Sequence, residues 1–168
     1  INFFDGSKQI GHKPLSGKYE GESNLKLGYD IVAPENSYKG DMLEFRLWNR
    51  AMTSANLSEY GMKKLNGYEY GLLDYYPLNE GEGEFAYDKA PGSMDLILDE
   101  TNWKRPVGIS LEMKGDKGLR LKPDKFARTA DHDYTLTFWF RTRDLASTLF
   151  SNGPATADEH DKINIGLN

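Results

Sequence analysis

Residues 38–52, YKGDMLEFRLWNRAM, constrain the fold more than any other stretch of this 168-residue chain. A glycine turn leads into an alternating run that stops at Asn49-Arg50-Ala51, and a short helical run follows. Leu43, Phe45 and Leu47 fall on one face, with Met42, Glu44, Arg46 and Trp48 on the other. That is the period-two pattern of a strand in a sheet with one apolar side. Such a side has to be covered by apolar residues from elsewhere in the chain.

The rest of the sequence offers many short strands. Alternating or apolar runs bounded by glycine, proline and asparagine predict strands at residues 1–4, 24–29, 42–49, 70–78, 96–98, 109–113, 119–121, 134–141, 148–151 and 162–167. Seventeen glycines, ten tyrosines and eight phenylalanines fit a mainly β protein. One helix is expected, capped by Thr53 or Ser54, running to about Leu65 and stopped by Asn66-Gly67, with Leu57, Tyr60 and Met62 or Leu65 on its buried side. Within the strand at 134–141, Tyr134, Leu136, Phe138 and Phe140 share the inner face. Trp139 and Trp48 lie opposite the apolar faces, where they floor a groove or are covered by loops or the helix.

Three blocks carry a family resemblance. The segment Gly40, Met42, Glu44, Phe45, Arg46, Leu47, Trp48, Asn49, Arg50, Ala51, Met52 resembles the closing strand of laminin-G-like, concanavalin A-like jelly rolls. Gly71, Leu72, Tyr75, Tyr76, Pro77, Leu78, Glu80, Gly81, Gly83 and Asp88 resemble the opening of such a domain, and residues 134–141 resemble one of its core strands. The order is reversed, because the closing strand precedes the opening one. Residues 1–67 therefore read as the C-terminal part of one module and residues 68–168 as the N-terminal part of the next. The expected fold is all-β: one antiparallel β-sandwich of jelly-roll type with one short helix, either circularly permuted within the chain or strand-exchanged between copies, or else a piece cut across tandem modules. Neighbouring termini make permutation physically accessible, whereas an unpartnered half would leave open strand edges.

Charge and composition exclude several classes. The 26 acidic against 21 basic residues give a net charge of -5, which disfavours non-specific attraction to nucleic acid or an anionic membrane. With no cysteine there is no disulfide, thiolate zinc site or cysteine nucleophile. No apolar run reaches the length of a membrane-spanning helix. The chain opens directly into strand-like Ile1-Asn2-Phe3-Phe4, as expected for a mature or excised piece.

Catalytic constellations are not evident. Sandwich glycosidases need two carboxyl groups about 5 Å or about 6.5–9.5 Å apart, and the alternating Glu80, Glu82 and Glu84 are interleaved with glycines in a turn. Residues 11–18, GHKPLSGK, have the wrong spacing for a phosphate loop, with Tyr19 in place of the hydroxyl residue. His12, His132 and His160 are scattered among polar loop residues. Asn56-Leu57-Ser58 is formally a glycosylation sequon inside the expected helix.

The resemblance implies a non-catalytic module that binds a glycan or glycoprotein, part of an extracellular or cell-surface parent protein of bacterial type, with adjacent modules or a second copy as partners. The alternatives are a structural spacer or accessory domain of a glycoside hydrolase and, further off, a sandwich glycosidase. It also implies a structural calcium ion at Asp88, although Leu43 replaces the second family carboxylate and leaves Asp41 nearby. Sugar recognition uses exposed rings that stack on pyranose faces, together with short polar side chains. On that chemistry the candidate ligand residues are Tyr29, Asp30, Asn36, Tyr38 and Trp103.

Overall fold

The computed structural model describes residues 2–14, 26–30, 32–92, 94–98, 102–104, 110–114, 119–120, 133, 135–143, 146–152 and 163–166. In chain order its strands are β1 (Asn2–Asp5), β2 (Lys8–His12), β3 (Lys26–Leu27), β4 (Lys39–Trp48), β5 (Leu72–Tyr76), β6 (Phe85–Ala86) and β7 (Leu96–Leu98). They continue as β8 (Asn102–Lys104), β9 (Ser110–Lys114), β10 (Leu119–Arg120), β11 (Thr135–Thr142), β12 (Thr148–Asn152) and β13 (Ile163–Gly166). A single turn of 3-10 helix spans Pro34–Asn36, and α1 spans Ser54–Gly61. The all-β expectation holds. Strands β2, β6 and β8 are not among those expected from the sequence.

The ladders are antiparallel. β1 and β2 form a hairpin, and a larger sheet runs β13-β12-β3-β10-β7-β6. Its register puts Leu98, Leu119, Leu27 and Phe150 in one cross-strand row, three of them fully buried. The neighbouring row carries Phe85, Ile97 and Lys26 and faces outward. A third sheet runs β11-β4-β9-β8, and β5 also pairs with β4.

β4 organises this third sheet. One edge pairs with β11 over residues 40–48; the other edge is shared, with β9 taking residues 39–42 and β5 taking 45–48. Strands from both sides of the helix therefore meet in one sheet. Residues of this sheet (Met42, Phe45, Leu47, Tyr76, Leu111, Met113) and of the six-stranded sheet (Leu27, Leu96, Leu119, Phe150) belong to one buried cluster. Each fully buried side chain of this size contributes about 1.5–3 kcal/mol.

A β-bulge corrects the expected faces of β4. Arg46 is opposite Thr137 and Leu43 is opposite Trp139, so Glu44 and Phe45 together face the single residue Phe138. Glu44 adopts φ 54°, a left-handed conformation that disfavours a side-chain-bearing residue by about 1–2 kcal/mol. The extra residue resets the alternation. Met42 consequently joins Phe45 and Leu47 in the core, while Leu43 is rotated out and only half-buried.

The opposite face of β4 and β5 is covered by α1. Trp48, Met52, Leu65, Leu72, Tyr75 and Ala90 form a second cluster, with Leu57 and Tyr60 of the helix packed on it. Thr53 caps the helix in a reciprocal box with Asn56, as its position before an amphipathic run implies. The helix ends at Gly61, short of the expected Leu65. Carbonyls at and just beyond its end also meet side chains of the sheet: Arg46 donates to those of Tyr60 at 2.6 Å and Lys63 at 2.9 Å, and Trp139 Nε1 donates to that of Gly61 at 3.1 Å. Leu65 is buried beyond the helix end, while Met62 is exposed. No helix among the described residues is long and apolar enough to cross a membrane.

Candidate functional site

The loop at 29–38 joins β3 to β4 and is held from beneath by a buried polar knot. Asp30 Oδ1 accepts the amides of Val32 at 2.9 Å and Ala33 at 3.0 Å, and Oδ2 accepts the Thr148 hydroxyl at 2.7 Å. The Asp30 amide donates to Ser37 Oγ at 3.1 Å, and Ser37 forms a bridge to Thr148 of β12. Asp30, Ser37 and Thr148 are all buried. Aspartate suits this position because a short carboxylate can accept from amides two and three residues onward. The proline at the start of the 3-10 turn fixes φ there, and the turn closes through Asn36 N to Ala33 O at 2.9 Å.

This base presents two of the five candidate ligand residues. Asn36 is exposed at the end of the turn, and Tyr29 is half-buried with the Lys26 ammonium 4.2 Å from its ring centroid. The other three do different work. Tyr38 has no exposed surface: its hydroxyl donates to the Asp41 carbonyl at 2.9 Å and its ring meets the edge of Phe140. It is therefore a core residue and not a stacking platform, because it shares the inward parity of Met42. Asp30 is a loop clasp whose two carboxylate oxygens are engaged inside the protein, so its expected hydrogen bond to a sugar is corrected to a supporting role. Trp103 is half-buried against the main core, and its Nε1 donates to the Gly83 carbonyl at 2.9 Å. That bond pins the acid-rich turn at 79–84 to β8.

Asp88 closes another loop. Its Oδ1 accepts from the amides of Tyr75 and Ala90, each at 2.8 Å, an Asx-type turn in a buried setting. Asp41, the substitute offered for the family carboxylate that Leu43 replaces, is paired with Arg141 at 2.5 Å. Calcium takes six to eight oxygen ligands, and among the described residues no three His, Asp or Glu side chains are gathered to hold a metal. A calcium ion here remains an inference from the resemblance. His12 is exposed and bonds Asn2 at 2.8 Å, while His132 and His160 lie outside the described residues.

The outer face of β4, the polar side of the strand by its alternation, holds a charged cluster. The Arg46 guanidinium meets Glu44 Oε2 at 2.5 Å and lies over the Tyr75 ring, and the Tyr75 hydroxyl donates to Glu44 at 3.1 Å. Burial, reinforced by the Glu44 charge, raises the Tyr75 phenol above its ordinary value. Nearby, the Arg50 guanidinium sits 5.5 Å from the Trp48 ring and 6.0 Å from the Tyr70 ring. Tyr68 and Tyr70 are the most exposed aromatics on this side, at 80% and 87%. No spacing rule distinguishes such rings from packed ones; only the course of the loop at 66–71 shows that they face water.

Comparison with known proteins finds no matching family model, no matching curated protein and no matching solved structure.

Proposed function

We propose that this chain is a non-catalytic recognition module of β-sandwich, jelly-roll type that binds a glycan or glycoprotein. The observation that carries the reading is the loop at 29–38, whose buried Asp30–Thr148–Ser37 knot holds Tyr29 and Asn36 outward on a fixed base. A weak ligand gains from such a base because little loop ordering is lost on binding. The half-buried Tyr29 ring, with the Lys26 ammonium 4.2 Å from its centroid, is the surface on which a pyranose stacks, while the Asn36 amide both donates to and accepts from hydroxyls. The two sheets sharing one core support a closed sandwich built from both segments. On this reading the parent protein works outside the cell or at its surface.

One shallow site gives low affinity, and arraying several copies makes later contacts intramolecular. A glycan array probed with a tetravalent display of the chain tests the proposal. Retention on a defined subset of glycans is expected. Retention on none would replace the reading with a structural spacer.

A further inference from the structure

β4 changes ladder partner along its shared edge. β9 pairs with residues 39–42 and β5 with residues 45–48, so Leu43 and the bulge at Glu44 fall between the two. A recess of about 270 Å³ lies at this break, lined by Leu43, Glu44, Pro77 and Asn79. Of the two non-glycine residues with positive φ among those described, Glu44 at 54° lines it, and Leu78 at 57° lies in sequence between the lining residues Pro77 and Asn79. Backbone strain of this kind persists where the surroundings over-determine it, and it clusters at ligand sites.

The walls are fixed. The Glu44 amide donates to the Pro77 carbonyl at 3.1 Å, its carboxylate is held by Arg46 and Tyr75, and Leu78 is fully buried. Leu43 and Pro77 supply an apolar surface, with Asn79 exposed at the rim. Because Arg46 already neutralises Glu44, the recess has no net charge that calls for a cation or an anion. What remains is the exposed part of a carboxylate already bonded to Arg46 and Tyr75, which unlike Asp30 keeps 24% of its side chain open to solvent and can accept a further bond, an amide that donates and accepts, and an apolar wall. Neutral hydroxyl-bearing ligands match that set. The recess is open to solvent, and its volume, just under the roughly 300–1,000 Å³ of pockets for drug-sized molecules, is enough to seat one ring.

We propose that the break in β4 is a second sugar subsite, separate from the loop at 29–38, which takes a single neutral pyranose with its C–H face on Leu43 and Pro77 and its hydroxyls on Glu44 and Asn79. The inference rests on the glycan-binding reading and adds a residue-level ligand class to it. The test is an amide-resolved NMR titration of the isotope-labelled chain with the methyl glycosides of glucose, galactose and mannose. At least one should give saturable shifts at Leu43, Glu44, Leu78 and Asn79. Asn79→Ala should weaken it by about tenfold, and Asn79→Trp, which fills the recess, should abolish it, both with an unchanged melting temperature. Glu44→Gln, judged at its own folded baseline, should weaken it by a similar factor. Shifts confined to residues 29–38, or shifts indifferent to both Asn79 variants, would overturn the subsite while leaving the glycan reading standing. No shift anywhere with a positive array would also overturn it, and no shift with a blank array would remove both.

Discussion

Phe45 of β4 stacks on Phe138 of β11, with ring centroids 6.2 Å apart and planes inclined by 26°, although one lies before the helix and the other far beyond it in sequence. Neither segment can bury its own apolar face without the other. Phe45 has no exposed surface, and Phe138 is half-buried at the β-bulge. Phe45→Ala should cost about 3–5 kcal/mol and Phe138→Ala distinctly less, in proportion to burial. Thr137 Oγ1 is buried without a hydrogen-bond partner among the described residues, so Thr137→Val should be neutral or stabilising. Denaturant midpoints of the three variants check the order; equal losses for Phe45→Ala and Thr137→Val would contradict it.

Arg46 ties sheet to helix. It is 2% exposed and bridges Glu44 to the carbonyls of Tyr60 and Lys63. Arg46→Met should cost about 3–5 kcal/mol, because it strands a half-buried carboxylate and two carbonyls. Arg46→Lys should recover little, since an ammonium lacks the fork that reaches three acceptors. Chemical denaturation together with hydrogen exchange at the end of α1 reads both effects.

Asp88 separates two explanations of one carboxylate. If it serves as a clasp accepting the amides of Tyr75 and Ala90 without a metal, Asp88→Asn keeps the acceptor and stays within about 1 kcal/mol of the parent, while Asp88→Ala costs about 2–3 kcal/mol. If it holds calcium, the parent melts higher with calcium than with chelator, and Asp88→Asn removes that difference.

Alkaline pH should unfold the protein. Burial, the largest cause in each case, raises the phenols of Tyr38, Tyr75 and Tyr76 above their ordinary value. Below about pH 10 these phenols are protonated in both states and stability does not vary through them. Above it the unfolded chain releases protons that the native state keeps, so stability falls by about 1.4 kcal/mol per pH unit for each phenol. Thermal melts from pH 8 to 12 should show the decline beginning near 10, and Tyr38→Phe should make it shallower.

The strands with strong alternation were legible, and β7 and β11 fall almost where the pattern puts them. What was hidden is instructive. The bulge at Glu44 leaves no compositional mark, because a glutamate occupies a backbone conformation usually given to glycine, and the faces of Met42 and Leu43 were exchanged as a result. Tyr38 and Trp48 are amphipathic rings whose surroundings depend on which element lands on them: Tyr38 went to the core, and Trp48 went beneath α1. Asp30 had the right chemistry for hydroxyls, yet Thr148, far away in sequence, took the oxygen a ligand would have used. Local pattern carries strand existence; long-range partners decide which polar groups remain available.

The clasp under the ligand loop can be tested apart from the ligand. Asp30→Ala removes acceptors from two amides and one buried hydroxyl and should cost about 2–4 kcal/mol. Amide exchange at Val32 and Ala33 should accelerate more than exchange in β4. Protection unchanged at those two amides would show that the loop is held by something other than the knot.

The measurement closest to the central claim is retention of the tetravalent chain on an array-selected glycan, compared with the Tyr29→Ala and Asn36→Ala variants displayed in the same way. Both side chains are at least partly exposed and lie outside the buried knot, so both variants should melt within a degree or two of the parent. The account predicts that each variant loses at least about tenfold in retention and that the double variant is not retained. Undiminished retention of the double variant, with folding intact, would contradict it.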